Sequence, residues 1–118
     1  MQRLQTNARM SQVVIANGFA FFSGQVPERS GAPIKEQSVE VLGKLDALLA
    51  AAGLGREAIV SANVWLSDVA HFADFNEVWD AWVPAGHAPT RACVQALLMK
   101  PGCDVEVALV ALAPDAAR

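Results

Sequence analysis

Two charged side chains stand among apolar residues towards the C-terminal end of the sequence. Arg91 precedes the run Ala92–Leu98 and Glu106 lies inside the run Val105–Leu112, with a Lys100-Pro101-Gly102 turn between. An arginine presents a planar fork that matches a carboxylate through two parallel hydrogen bonds, so Arg91 is a natural anchor for a small carboxylate ligand. A glutamate nearby can hold or deprotonate a water. The same two charges also fit a simpler arrangement, an intramolecular salt bridge that ties two strands together. Loss of one partner from such a buried pair costs about 3–5 kcal/mol.

Successive side chains of a strand point to opposite faces. Arg91, Cys93 and Gln95 therefore share one face, and Ala92, Val94, Ala96 and Leu98 the other. In the second run Asp104, Glu106, Ala108 and Val110 alternate with Val105, Val107, Leu109 and Ala111. Folded as a hairpin, the two runs bring Arg91 and Glu106 to one surface. Cys93 then lines the same site as a wall or hydrogen-bond partner. As a nucleophile it needs an activating base, and no motif places His71 or His87 beside it. Cys103, at the turn exit, reads as structural. Glycine-rich phosphate cradles, zinc spacings and catalytic triads are absent from the sequence.

The elements that must position these residues are legible in outline. Gln2–Thr6 is a short edge strand. Ser11–Ala16 and Phe19–Ser23 flank Asn17-Gly18, a pair suited to the positive φ angles of a two-residue hairpin turn. Gly24–Pro33 is a loop. Apolar residues at three- and four-residue intervals predict a helix over Ile34–Ala52, ended by Gly53 with Leu54 packing back on it. Glu40 and Lys44 belong to its solvated face. Ala58–Leu66 is apolar on both faces and reads as a central strand, followed by a cap region at Ser67-Asp68. Phe72, Phe75, Trp79 and Trp82 form a core-facing stripe on a second helix that Pro84 ends. His71 is an exposed position near its start, and His87 a loop residue. The order is βββαβαββ.

Composition sets the frame. The 118 residues make one domain, 1–118, and 53% of them are hydrophobic, which is apolar for so small a globular chain. Two helices cover one face of a sheet but not both, and strands that are apolar on both faces need a second cover. A second copy of the chain is the simplest. Nine basic residues against twelve acidic ones, net −3, leave no basic stripe for nucleic acid. No apolar run reaches membrane-spanning length and the N-terminus lacks a signal-peptide core, so the expected location is cytoplasmic. Two cysteines in such a setting are expected reduced.

Pro89-Thr90-Arg91-Ala92-Cys93-Val94, followed by Val105-Glu106, resembles the C-terminal signature of the RidA (YjgF) family of imine deaminases. Phe21-Phe22-Ser23-Gly24-Gln25-Val26-Pro27 resembles the family's Ser-Gly-Gln turn, Ala50–Leu54 its first helix end and Phe72–Trp79 the start of its second helix. The resemblance covers nearly the whole chain. It implies a chorismate-mutase-like α+β fold, with a six-stranded, mainly antiparallel sheet and two helices on one face, assembled as a homotrimer with ligand sites in the clefts between subunits. It also implies a hydrolase that converts reactive 2-imino acids of the 2-aminoacrylate type to 2-keto acids and ammonia, without metal or organic cofactor. Arg91 would grip the substrate carboxylate and Glu106 would position the water. Groups at Ser23, Gly24 and Cys93 would hold the ligand's polar atoms, and Asn76 would be structural.

Departures from the family pattern are specific. Where the 2-aminoacrylate deaminases carry a tyrosine near the chain start, this sequence has Arg9-Met10-Ser11-Gln12, and Met10 keeps bulk in the substrate pocket without a hydroxyl. Leu97 and Val107 are packing variants. The opening fits a divergent subgroup and supports an alternative function, a non-catalytic trimeric protein that binds small carboxylates or regulates a partner. A ribonuclease or translation-inhibitor role is disfavoured by the acidic balance.

Overall fold

The computed structural model describes residues 1–114. Six strands and two helices follow the predicted order: β1 (Gln2–Thr6), β2 (Ser11–Ala16), β3 (Phe19–Gln25), α1 (Ile34–Ala51), β4 (Ile59–Leu66), α2 (Phe72–Trp82), β5 (Thr90–Gln95) and β6 (Val105–Leu112). They form one sheet of order β1-β2-β3-β6-β4-β5. All neighbours are antiparallel except β4 and β5, which run parallel. A parallel pair needs a long crossover, and α2 supplies it. The α+β class, the mainly antiparallel six-stranded sheet and the two helices agree with the sequence reading.

Local chemistry accounts for the elements. Asn17 and Gly18 take φ of 54° and 84°, the left-handed pair that turns β2 into β3. On α1, Ile34, Gln37, Ser38, Val41, Leu42, Leu45, Leu48 and Leu49 are buried, a stripe of helical period. Its C-terminus is a Schellman motif: Leu54 N–H donates to Leu49 O at 2.8 Å and Gly53 N–H to Ala50 O at 2.9 Å, with Gly53 at φ 75°. Lys44 does more than solvate a face, since its Nζ bonds Val26 O and Glu28 Oε1, each at 2.8 Å, and fastens the loop after β3. Cys103 is buried, its Sγ 3.4 Å from Pro27 O.

The core lies between the helices and one face of the sheet. Val13, Phe22, Ala62, Val64, Leu66, Val105, Val107 and Leu109 meet Leu42, Leu45, Leu49, Phe75 and Trp79 there. The opposite face is open and apolar: Phe21 is 48% exposed, Leu112 47% and Val94 52%.

Four expectations change. β3 runs on to Gln25, so Gly24 and Gln25 lie in a strand and the loop begins after them. β5 ends at Gln95 rather than reaching Leu98, and Leu97 and Met99 beyond it are almost fully exposed. Phe72 is not part of the core; it is 46% exposed, while the other three aromatic residues of its stripe are buried. Most consequentially, β5 and β6 are not a hairpin. β4 lies between them, because the chain crosses from β4 through α2 into a parallel neighbour and then returns on β4's other edge.

Candidate functional site

That topology separates the two charges. Arg91 pairs with Ala62 on β4, whose side chain is in the core, so Arg91 points to the helix side. Glu106 pairs with Trp65 and alternates with buried Val105 and Val107, so it points to the open side. Within one chain the sheet stands between them, and the Arg91–Glu106 salt bridge is not formed.

Around Arg91 the site is built by α2. Nη1 of Arg91 donates to Oδ1 of Asn76 at 2.8 Å. Cζ lies 5.4 Å from the Trp79 ring centroid, 5.8 Å from that of Phe72 and 5.9 Å from that of Phe75. The guanidinium is thus held by a neutral amide and by aromatic faces that attract a cation. Among the described residues no carboxylate pairs with Arg91, and no buried side-chain nitrogen or oxygen lacks a partner. Its remaining N–H groups therefore face solvent. Cys93 lies two residues on, half-buried on the same face. Burial raises its thiol pKa, with Arg91 opposing in part, so the neutral thiol prevails and the wall role fits better than nucleophilic attack. Asn76, expected to be structural, fixes Arg91 through its side-chain oxygen. The signal for that role was its position one residue after Phe75 and three before Trp79, which puts it on the flank of the aromatic stripe.

The second cluster lies on and beside the open face. The Glu106 carboxylate rests on Gly24, where an added Cβ would collide with Oε2 and stand 3.0 Å from Cδ. Glycine is required there by close approach. Burial raises the Glu106 pKa. Ser23 Oγ donates to Ser11 O at 2.7 Å, and Gln25 Nε2 donates to Gln12 Oε1 at 2.7 Å, lacing β3 to β2. Met10, 39% exposed, precedes Ser11 in a turn closed by Asn7, whose Oδ1 accepts from the Met10 N–H at 3.0 Å. Gly24 is thus brought to Glu106, with Ser23 beside it in sequence and Met10 next to the Ser11 that anchors Ser23. Arg91 and Cys93 belong to the other cluster. His87 is exposed in its loop, and His71 Nε2 lies 3.9 Å from Asp104 Oδ1.

No helix among the described residues is long and apolar enough to cross a membrane. Residues 1–113 match the family described as Endoribonuclease L-PSP. The chain is 44% identical over 109 residues to the RutC family protein YoaB of Escherichia coli strain K12, covering 92% of this chain and 95% of that one. Among solved structures it is similar to a member of the YjgF protein family from Neisseria meningitidis, with 41% identity, a TM-score of 0.92 and coverage of 98% and 96% of the two chains. It is likewise similar to a putative translation initiation inhibitor from Salmonella typhimurium, with 43% identity, a TM-score of 0.86 and coverage of 94% and 96%. A signature held in two clusters of one sheet and a match along nearly its whole length agree: the chain belongs to the Endoribonuclease L-PSP family, the RidA/YjgF/RutC group.

Proposed function

We propose that the protein is an imine deaminase that hydrolyses reactive 2-imino acids, or the enamines that tautomerise to them, to 2-keto acids and ammonia. Family membership supports deaminase-type chemistry in general. The observation that carries the specific reading is the state of Arg91: a guanidinium braced by Asn76 and three rings, with N–H groups open to an incoming carboxylate.

In this mechanism Arg91 holds the substrate carboxylate as a fork. The substrate reacts as its protonated iminium: Glu106 takes a proton from water as the oxygen adds to the carbon and the C=N electron pair moves to nitrogen, giving the neutral carbinolamine, whose hydroxyl proton leaves with the ammonia as ammonium once the carbonyl forms. Glu106 then returns a proton as the C–N bond of the carbinolamine breaks, releasing ammonia and leaving the keto acid. A carboxyl with a raised pKa is better matched to this exchange near neutrality, worth about 10²–10⁴-fold. Ser23, Gly24 and Cys93 line the space around the reacting centre, and Met10 borders it.

Because Arg91 and Glu106 occupy opposite faces, we place the working site between subunits, Arg91 of one copy facing Glu106 of the next. The apolar open face supports a homotrimer as the assembly that closes it. The free thiols Cys93 and Cys103 support a reducing, cytoplasmic setting for this clearance of reactive metabolites. Met10 favours a second reading, in which a divergent member binds small carboxylates without turnover.

Keto-acid release from imines made in situ by an amino-acid oxidase separates the two. Acceleration by the native protein that disappears in Arg91→Ala is the expected result. Tight keto-acid binding without acceleration on any imine would establish the binding protein instead.

A further inference from the structure

Of the three rings around the Arg91 guanidinium, only one can touch a ligand. Phe75 is 0% exposed and Trp79 5%, whereas Phe72 is 46% exposed. Phe72 is the first residue of α2, and the preceding turn is fixed by Asp68, whose Oδ1 accepts from Ala70 N–H at 2.8 Å. Residues four apart on a helix are neighbours on one face. Phe72 and Asn76 are therefore set side by side along Arg91, one contacting the guanidinium through a ring face and the other through a hydrogen bond. Of the rings around the Arg91 fork, Phe72 is thus the one with exposed surface to offer the substituent of a carboxylate bound there.

We propose that Phe72 selects the substrate's side chain, so that the site prefers 2-imino acids with an aromatic side chain over those with a methyl group. This inference rests on the reading of Arg91 as the carboxylate anchor. The ring offers an apolar surface already partly shielded from water, and an aromatic substituent meets it in an offset or edge-to-face pair. Such a pair corresponds to about a 3–10-fold preference.

The test compares native protein, Phe72→Ala, Phe72→Leu and Arg91→Ala on imines generated in situ from phenylalanine and from alanine. Calorimetric binding of phenylpyruvate and pyruvate is measured in parallel, so that a preference is read whether or not turnover occurs. Light scattering checks that each variant keeps the native mass. Phe72→Ala is expected to lower the phenyl-to-methyl ratio about 3–10-fold through the phenyl ligand alone, with Phe72→Leu intermediate. Arg91→Ala is expected to abolish binding and turnover of both. Equal losses on both ligands, an unchanged ratio, or a change of mass in Phe72→Ala overturns the selector role and leaves the Arg91 reading standing. Undiminished binding of both ligands by Arg91→Ala overturns the anchor itself.

Discussion

Gly24→Ala separates the position of Glu106 from its chemistry. The new methyl group would fall on Oε2 of Glu106, with Cδ at 3.0 Å and Cγ at 3.2 Å. Comfortable carbon contacts begin near 3.5 Å, so Cδ must retreat by about half an ångström and the carboxylate oxygen by about 1 Å or more. The backbone has no reason to move, because Gly24 does not adopt a positive φ and the obstruction is the end of a flexible side chain. Driving Glu106 off its preferred rotamer costs about 0.5–1.5 kcal/mol, which a folded domain tolerates. Catalysis is far more sensitive, since a displacement of about 1 Å at a reacting group can cost about 10²-fold. The assay is keto-acid release from an in situ imine, with a thermal melt and pyruvate binding on the same samples. The expected outcome is a loss of about 10²-fold in kcat, a Tm within a few degrees of native, and pyruvate binding retained through Arg91. A folded Gly24→Ala protein with kcat within threefold of native would refute the argument that Glu106 must stand where Gly24 lets it stand.

Two further outcomes are expected. Burial raises the Glu106 pKa in the folded chain, so the folded state is penalised relative to the unfolded one as pH rises through the ordinary glutamate value of about 4.3 and on through the higher folded value. Glu106→Gln should therefore melt above native protein at pH 7, with the gain vanishing below about pH 4, while the proposed deaminase activity falls; a lower Tm at pH 7 would show that the Arg91 facing it from the next copy already pairs with Glu106 in the empty site and outweighs the burial cost. Phe21→Asp places a charge in the middle of the open face, where Phe21 is 48% exposed in one chain. It should reduce the proposed trimer to monomers on light scattering and remove the proposed activity together; a fully active trimer would show that this face is not the interface.

What the sequence disclosed depended on the range of the signal. The first helix, its glycine-ended cap and the Asn17-Gly18 turn were legible because period and turn chemistry act over a few residues. Alternation also assigned Arg91, Cys93 and Gln95 correctly to one face of their strand. It did not say which strand lies next door. Residues 91–106 have the pattern of a hairpin, and only the parallel docking of β5 against β4, set by where α2 crosses, puts Arg91 and Glu106 on opposite faces. The aromatic stripe was read as core on period alone, and that holds for Phe75, Trp79 and Trp82. Phe72, the first residue of the helix, is the exception. The role of Asn76 was hidden since its partner comes from a strand fifteen residues away in sequence.

The strand order carries a consequence for how the molecule comes into being. β6 is the last of the six in chain order, yet it sits inside the sheet, bonded to β3 on one edge and β4 on the other. Until it arrives, the β1–β3 meander and the β4–α2–β5 unit are two pieces with raw inner edges and no shared backbone ladder. Unpaired edges and uncovered apolar surface are what intermediates aggregate through. A chain halted at residue 104 should accordingly lack fixed tertiary packing by near-ultraviolet circular dichroism, and native-like signals from it would show that the two pieces dock unaided. Closure of the sheet thus waits on β6, the strand that also delivers Glu106 to Gly24.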